Sequence, residues 1–211
     1  MRYADGSAVH LGKSPVLGEV VVLDDTEIMR PWQSFGSPPI SGSPGRLCEV
    51  CGISVNVELG GGDAEGINRP NVDLRKLPTV DYCLDLSVDR LPFHDNHAEH
   101  IRMLHLLNHL SETEGARLLR ECFRVLRPQG ILYLMVTDLV FLCERILADG
   151  ARRCWLQGIH GDGNDGRPDA FHKWNYSQES LTDLLQEVGF PTVQVVGCYN
   201  RWEIKVMAFK P

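Results

Sequence analysis

Val55–Gly62 reads VNVELGGG, an apolar run that ends in an acid and then three glycines. That ending suits a strand whose carboxyl end meets a ligand. Glycines let the backbone turn sharply and come close to a bound molecule. In an open α/β sheet the ligand sits outside the carboxyl ends of the strands. Spacing tests two phosphate-type sites. A Walker loop around Gly12-Lys13-Ser14 has Ser7 where its first glycine belongs, and no strong strand precedes it. A dinucleotide fingerprint starting at Gly60 has Glu65 in place of its third glycine, which disfavours a nicotinamide enzyme.

The histidines form a second group. His94, His97, His100, His105 and His109 fall within sixteen residues, and His105 and His109 are four apart, close to one helical turn. An HExxH zinc motif needs Glu after its first histidine, but Leu106 follows His105. Cys48-Glu49-Val50-Cys51 has no second cysteine pair at zinc spacing. No metal site is therefore expected, and Cys48 and Cys51 read as an ordinary pair beside the first strand. A histidine can instead act as a general base near neutral pH. The candidates are His105, just past the fourth strand, and His160 and His172, in the long polar stretch 150–176. His172 stands beside Trp174 and Tyr176, whose flat faces suit a ring-shaped acceptor. Asp138, past the fifth strand, belongs to the same edge. A histidine base predicts a rate that rises with pH through about 6–7, where an unperturbed imidazole loses its proton. No G-x-S-x-G nucleophile elbow is present.

These groups need a scaffold, and the apolar pattern supplies one. Strand candidates are Ile53–Leu59, Asn71–Leu74, Val80–Leu84, His100–Leu104 and Ile131–Val136, the last almost continuously apolar, as in a strand buried on both faces. Ser111 and Glu114 have the spacing of a capping box, and the helix they open carries Leu118, Leu119, Cys122, Phe123 and Leu126 on one face. Pro128 and Gly130 stop it. A helix over about Leu139–Ala148 follows, then one capped by Ser177 and closed by Gly189. Thr192–Cys198 and Glu203–Phe209 alternate like a hairpin around Tyr199-Asn200-Arg201. Strands alternating with helices give an α/β fold whose sheet is mostly parallel, with a C-terminal antiparallel hairpin at its edge.

Residues 1–46 read as a separate arm: Leu17–Leu23 could be a strand, and Ser34–Arg46 is rich in Gly, Pro and Ser, as in a loop or a flap over a ligand. The 47–211 stretch reads as one domain, a normal size for 211 residues in all. The net charge of −7 gives no basic footprint for phosphate contacts, so nucleic acid is not an expected partner. No apolar run approaches the ~18 residues of a membrane helix. Met1–Asp5 is polar, and no signal peptide is expected. The expected location is cytoplasmic, with most of the seven cysteines as buried thiols rather than disulfides.

The remaining nucleotide-type reading of Val55–Gly62 is a site for S-adenosylmethionine (SAM), and there the chain resembles a family. Residues 55–139 are similar to the class I SAM-dependent methyltransferases, closest to the compact methyltransferase-domain proteins. ELGGG (58–62) resembles their first motif, NVDL (71–74) the acidic end of their second strand, and DLSVDRLPFHDN (85–96) their D-L-x-x-LPF-x-D-N segment. HLLNHL (105–110) stands for H-V-L-E-H, and LLRECFRVLRPQGILYLMVTDL (118–139) for their L-L-x-E-x-x-R-V-L-K-P-G-G region. His172–Tyr176 and 180–190 resemble late H-x-W-x-Y and L-L-x-x-x-GF elements. The resemblance implies a Rossmann-like class I sheet and SAM as cofactor. It implies Asp73, with Leu74 beside it, at the ribose hydroxyls; Asp85 and Leu86 at the adenine edge; Glu58, Gly60, Gly61 and Gly62 at the methionine part; and His105 beside the cofactor.

The chain departs from the family at Asn108, which replaces the glutamate of H-V-L-E-H, and at Gln129, which replaces the first glycine of P-G-G. The stretch from Asp73 to Val80 is too short for a full crossover helix. The expected activity is methyl transfer to a small polar acceptor such as a sugar or natural-product hydroxyl. The alternative is a non-catalytic methyltransferase-like binding or regulatory subunit, which Asn108 motivates. A homodimer is compatible with either.

Overall fold

The computed structural model describes residues 13–14, 18–19, 46–63, 68–162, 167–195 and 202–211. Seven strands form the main sheet: β1 (Asn56–Leu59), β2 (Asn71–Asp73), β3 (Tyr82–Cys83), β4 (Ala98–Leu104), β5 (Leu126–Thr137), β6 (Thr192–Val195) and β7 (Glu203–Phe209). Their order is β3-β2-β1-β4-β5-β7-β6. The first five run parallel, and β7 is antiparallel to both β5 and β6. Because the chain builds outward from β1 in one direction and from β4 in the other, the sheet has its switch point between them. That is where an open α/β sheet forms a crevice. Lys13–Ser14 and Gly18–Glu19 pair as a short antiparallel ribbon. The rest of the anticipated arm and flap lies outside the described residues, as does the turn at 199–201.

β5 is apolar on both faces because both are covered. Leu132, Leu134 and Val136 point into the main core, while Ile131 and Tyr133 pack with Met207 on the other side. The C-terminal hairpin is antiparallel and lies at the edge of the sheet, as expected. β7, not β6, lies inside the sheet, and β6 is the edge. The burial pattern gives the reason: Ile204, Val206, Met207 and Ala208 of β7 are all buried, whereas β6 alternates with exposed residues. Helix α1 (Glu112–Val125) opens with the anticipated capping box, in which Ser111 Oγ accepts from the Glu114 amide and the Glu114 carboxylate accepts from the Ser111 amide at 2.7 Å. Its face Leu118-Leu119-Cys122-Val125 is buried, and it packs with α4 (Gln178–Val188). α2 (Leu139–Asp149) packs on α3 (Arg153–His160), a helix the polar composition of 150–176 concealed. No helix among the described residues is long and apolar enough to cross a membrane.

The β1–β3 half carries no crossover helix among the described residues. Residues 74–81 and 84–97 are turns. Two arginines of α1 hold the second of these. Arg117 donates to the carbonyls of Leu86, Ser87 and Asp89 at 2.6–3.1 Å, and Arg124 to those of Leu91 and Phe93. These charge-assisted bonds do the positioning that helical hydrogen bonds would otherwise do. The thiols are less buried than expected: of the described cysteines only Cys122 is fully buried, and Cys51, Cys83, Cys143 and Cys154 are exposed.

Candidate functional site

A cleft of ≈ 890 Å³ opens at the carboxyl edge of the sheet. Its floor is built from successive strand ends: Gly60 after β1, Asp73 and Leu74 at β2, Asp85 and Leu86 after β3, His105 after β4, Thr137 of β5 and Glu203 of β7. The segments 154–162 and 167–173 border it, contributing Gln157, Gly161, Asp169 and His172 among others. Parts of the 150–176 stretch thus line the site.

The glycine turn is tied down by its own amides. Gly60 N donates to Val72 O, Gly61 N to Asn71 Oδ1 at 3.2 Å, and Gly62 N to Asp73 Oδ2 at 2.9 Å. Gly60 has φ +69°, and a Cβ there would meet Leu106 at 3.0 Å. Gly60 faces the cleft, while Gly61 and Gly62 act by fixing β2 rather than by lining it. Asp73 is only 5% exposed, and both its oxygens are engaged: Oδ1 by the amide and Nε of Arg75 at 2.8 and 3.1 Å, Oδ2 by Gly62 N and by Nη2 of Arg75 at 3.4 Å. Arg75 thus lies over the acid that a ribose would seek. Asp85 accepts from the amide and hydroxyl of Ser87 at 2.9 and 2.6 Å, which lowers its pKa.

Glu58 is a correction. Expected at the methionine end, it does not line the cleft. It is 1% exposed, pairs with Arg102 Nε at 2.7 Å and accepts from the Asn68 amide. Burial raises its pKa to about 6, against the pull of Arg102. The preceding strand residue, Val57, points into the core, so strand alternation sends Glu58 to the other face of the sheet.

Three histidines line the cleft. His105, at φ +55°, has Nε2 3.0 Å from Glu203 Oε1. A carboxylate only accepts, so Nε2 carries a proton, and in the neutral ring Nδ1 is the nitrogen with the lone pair. The bond holds the Glu203 pKa below its ordinary value. His172 Nδ1 lies 3.1 Å from the Gly158 carbonyl, and its ring meets His109 edge-on at 5.0 Å. Burial, then His109, lowers the His172 pKa to about 4, so the expected titration near neutrality does not apply to it. Burial also lowers the pKa of His109, whose Nδ1 faces the Phe171 carbonyl at 3.1 Å.

Other candidates fall elsewhere. His160 is exposed, is not among the cleft-lining residues, and uses its carbonyl to accept from the His172 amide. Asp138 caps α2 by accepting from the amides of Val140 and Phe141. Tyr176 is buried in the core, and Trp174 does not line the cleft, so neither offers a face to a ligand there. Asn108 explains itself: fully buried, it donates from Nδ2 to Trp174 O and accepts at Oδ1 from the Thr137 amide, both at 3.2 Å. A glutamate could not donate to that carbonyl. Sequence reasoning missed Arg75, His109 and Glu203 as cleft residues. Glu203 lies 98 positions from its partner His105, and only the insertion of β7 beside β5 brings them together.

The lining acids Asp73, Asp85, Asp162, Asp169 and Glu203 outnumber the cations Arg75, Arg167 and Lys173. SAM carries a net positive charge, so the donor set and the turn at Gly60 fit it. A methyltransferase-domain family model matches residues 54–134. No curated protein matches the chain in sequence. Among solved structures, a SAM-dependent methyltransferase from Archaeoglobus fulgidus superposes with TM-score 0.54 at 14% identity, covering 87% of this chain and 92% of that one. One from Mesorhizobium loti gives 0.52 at 17%, covering 85% and 97%. One from Thermotoga maritima gives 0.52 at 16%, covering 74% and 82%.

Proposed function

We propose that the chain is a class I SAM-dependent methyltransferase, a reading supported by the methyltransferase-domain match over 54–134, and that it methylates a hydroxyl of a small polar acceptor seated beside the 154–162 and 167–173 segments. The observation that carries this reading is the composition of the cleft. One half has Gly60, Asp73, Asp85 and Leu86 for a nucleoside, and the other has His105–Glu203 and the His109–His172 pair for moving a proton. Its ≈ 890 Å³ lies near the upper end of the roughly 300–1,000 Å³ of small-molecule sites, room for cofactor and acceptor together.

SAM, when bound, supplies a methyl group already activated by positive sulfur. The protein supplies alignment and a base. Asp73, now bonded to Arg75, would hold the ribose hydroxyls of the cofactor, and Asp85 with Leu86 would meet its adenine edge. His105 takes the acceptor's hydroxyl proton at Nδ1. Glu203 holds the ring in that tautomer and stabilises the imidazolium that results. His172, first choice from sequence, lines the same cleft with Nδ1 against the Gly158 carbonyl, which suits its other nitrogen to accept a hydrogen bond from the acceptor.

The test is thermal shift with SAM, S-adenosylhomocysteine and NAD, followed by S-adenosylhomocysteine release with sugars, phenols and amines as acceptors. Ligand at ~100-fold its Kd adds about 2.7 kcal/mol to stability. SAM and its product should shift the melt, NAD should not, and hydroxylated acceptors should turn over. Turnover of amines alone would overturn the hydroxyl assignment.

A further inference from the structure

At the opposite edge of the sheet, where β1 and β4 begin, Cys48, Cys51, His94 and His97 converge. One ligand-type atom from each lies within 4.8 Å of all the others. Cys48 Sγ is 3.2 Å from His94 Nε2, and Cys51 Sγ is 3.6 Å from His97 Nδ1. Tetrahedral zinc with Zn–S ≈ 2.3 Å and Zn–N ≈ 2.0–2.1 Å requires sulfur–nitrogen edges of about 3.5 Å. The observed pairs stand near that spacing.

The unused ring nitrogens give an independent argument. His94 Nδ1 lies 2.8 Å from the Asp95 carbonyl, and His97 Nε2 lies 2.9 Å from the Ser54 carbonyl. A carbonyl only accepts, so each of those nitrogens carries the proton. In the neutral imidazole, the form that binds a metal, each remaining nitrogen, the one facing a cysteine, then presents its lone pair. Metal-ligating histidines are oriented in this way, by a carbonyl or carboxylate on the distal nitrogen. Phe93 stacks on His97 at 5.0 Å and helps fix its ring.

Both turns are shaped to present their pairs. Around the cysteines, Gly52 N donates to Cys48 O and Cys48 N to Ile53 O, each at 2.8 Å, and Leu47 bridges Ser54. Gly52 has φ +70° with open space around it, so glycine is there for the backbone angle. Around the histidines, Asn96 takes φ +58°, its amide donates to Arg124 O at 3.0 Å, and Arg124 Nη1 bonds Asp95 at 2.8 Å. The motif is Cys-x2-Cys followed far along the chain by His-x2-His. A search for a second cysteine pair could not have found it.

We propose that Cys48, Cys51, His94 and His97 bind one zinc ion in a closed, structural Cys2His2 site that pins the segment before β1 to the head of β4. Four protein ligands leave no position for substrate. Both cysteines bind as thiolates, and the two thiolates balance the charge of Zn²⁺. The seven residues of β4 span about 20 Å at ~3.3 Å per residue, which separates this ion from the cleft. The site does not depend on the acceptor or base assigned above.

The experiment is elemental analysis of the full chain purified under reducing conditions without chelator, with cobalt(II) substitution read by visible absorption. One zinc per chain is expected, with cobalt giving tetrahedral d–d bands and a sulfur-to-cobalt charge-transfer band. Cys51→Ser and His94→Ala should lose both zinc and bands, while Cys143→Ser, an exposed thiol elsewhere, keeps them. Removing zinc from the wild type should lower Tm yet leave the shift caused by S-adenosylhomocysteine. A reduced wild-type chain with neither stoichiometric zinc nor tetrahedral cobalt bands overturns the proposal. So does zinc retained in both ligand variants. A Cys48–Cys51 disulfide whose reduction restores no metal uptake also counts against it. Loss of the S-adenosylhomocysteine shift with zinc intact would touch only the cofactor reading.

Discussion

The two ends of β4 use the same residue type for opposite purposes. At its amino end His94 and His97 anchor one nitrogen each on a carbonyl and aim the other at a sulfur. At its carboxyl end His105 meets a carboxylate and His109 meets His172, inside a cleft. Between them His100 is buried, bonds Asn56 Oδ1 at 2.9 Å and has its pKa lowered by burial, a packing role. Five histidines that look like one cluster in the sequence are thus three environments. What decides each role is the partner that the topology brings across: cysteines from the segment before β1, or an acid from β7 and the segments beside the cleft.

Breaking the carboxyl end should give the largest kinetic effect. His105→Ala is expected to lower kcat by roughly a hundredfold or more, the usual worth of a positioned base, while S-adenosylhomocysteine affinity by calorimetry changes little and zinc content not at all. Equal losses of affinity and kcat would instead make His105 a cofactor contact. Next comes the nucleoside end. Asp73→Ala should weaken S-adenosylhomocysteine binding by ~1.5–3 kcal/mol, the range for hydrogen bonds to a charged group. Arg75→Ala should do the reverse, because the guanidinium competes for the same oxygens. If both variants weaken binding, Arg75 holds the cofactor rather than blocking it.

The pH response sharpens the comparison further. The His172 pKa is about 4 in the folded chain against an ordinary 6.5. A depressed pKa contributes stability that is present above about 6.5 and is lost as pH falls through about 4. The shifts at His109 and His100 act in the same direction. Tm should therefore fall from pH 7 to pH 5, and His172→Asn should flatten that slope. Were His172 the base, the rate would hold down to about pH 5. A rate already declining above pH 6 excludes it.

Much of the fold was legible because its causes are local. The Ser111–Glu114 box, the two-faced apolar run of β5 and the acid-glycine end of β1 each declare themselves within a few residues. The short β2–β3 crossover was readable from length alone. What stayed hidden depends on partners distant in the chain. The Glu58–Arg102 pair needs the register of β1 on β4, His105–Glu203 needs the insertion of β7, and the four-residue metal cluster needs two turns 42 residues apart. Composition also misled: the polarity of 150–176 masked α3, whose apolar contact is confined to one face against α2.

The smallest predicted effect lies at the amino edge, in the irregular first part of β5, Pro128-Gln129-Gly130, where the register against β4 shifts. Gln129 has φ +65°, a left-handed angle at which an L side chain costs roughly 1–2 kcal/mol. Its amide donates to Lys210 O at 3.0 Å, and Lys210 N returns to Gly130 O at 3.0 Å, so β5 and β7 together hold the angle. Gln129→Gly relieves the strain but adds freedom to the unfolded chain, which offsets about 0.5–1 kcal/mol. The net gain should be under ~1 kcal/mol, read as a rise in denaturation midpoint at constant slope. Its neighbour should respond with the opposite sign. A Cβ on Gly130 would sit 2.8 Å from the Arg127 carbonyl oxygen, a backbone atom that cannot swing away, so Gly130→Ala should destabilise by more than Gln129→Gly gains. Lys210 also reaches Asn96, in the turn between His94 and His97, at 2.9 Å. The pair of variants therefore perturbs the amino edge without touching a metal ligand or the cleft. Effects at the amino edge and at the cleft, which share no partner, should be additive. A change in S-adenosylhomocysteine affinity in either variant would show that the two ends of the sheet are coupled, and the division between a structural edge and a catalytic edge would fail.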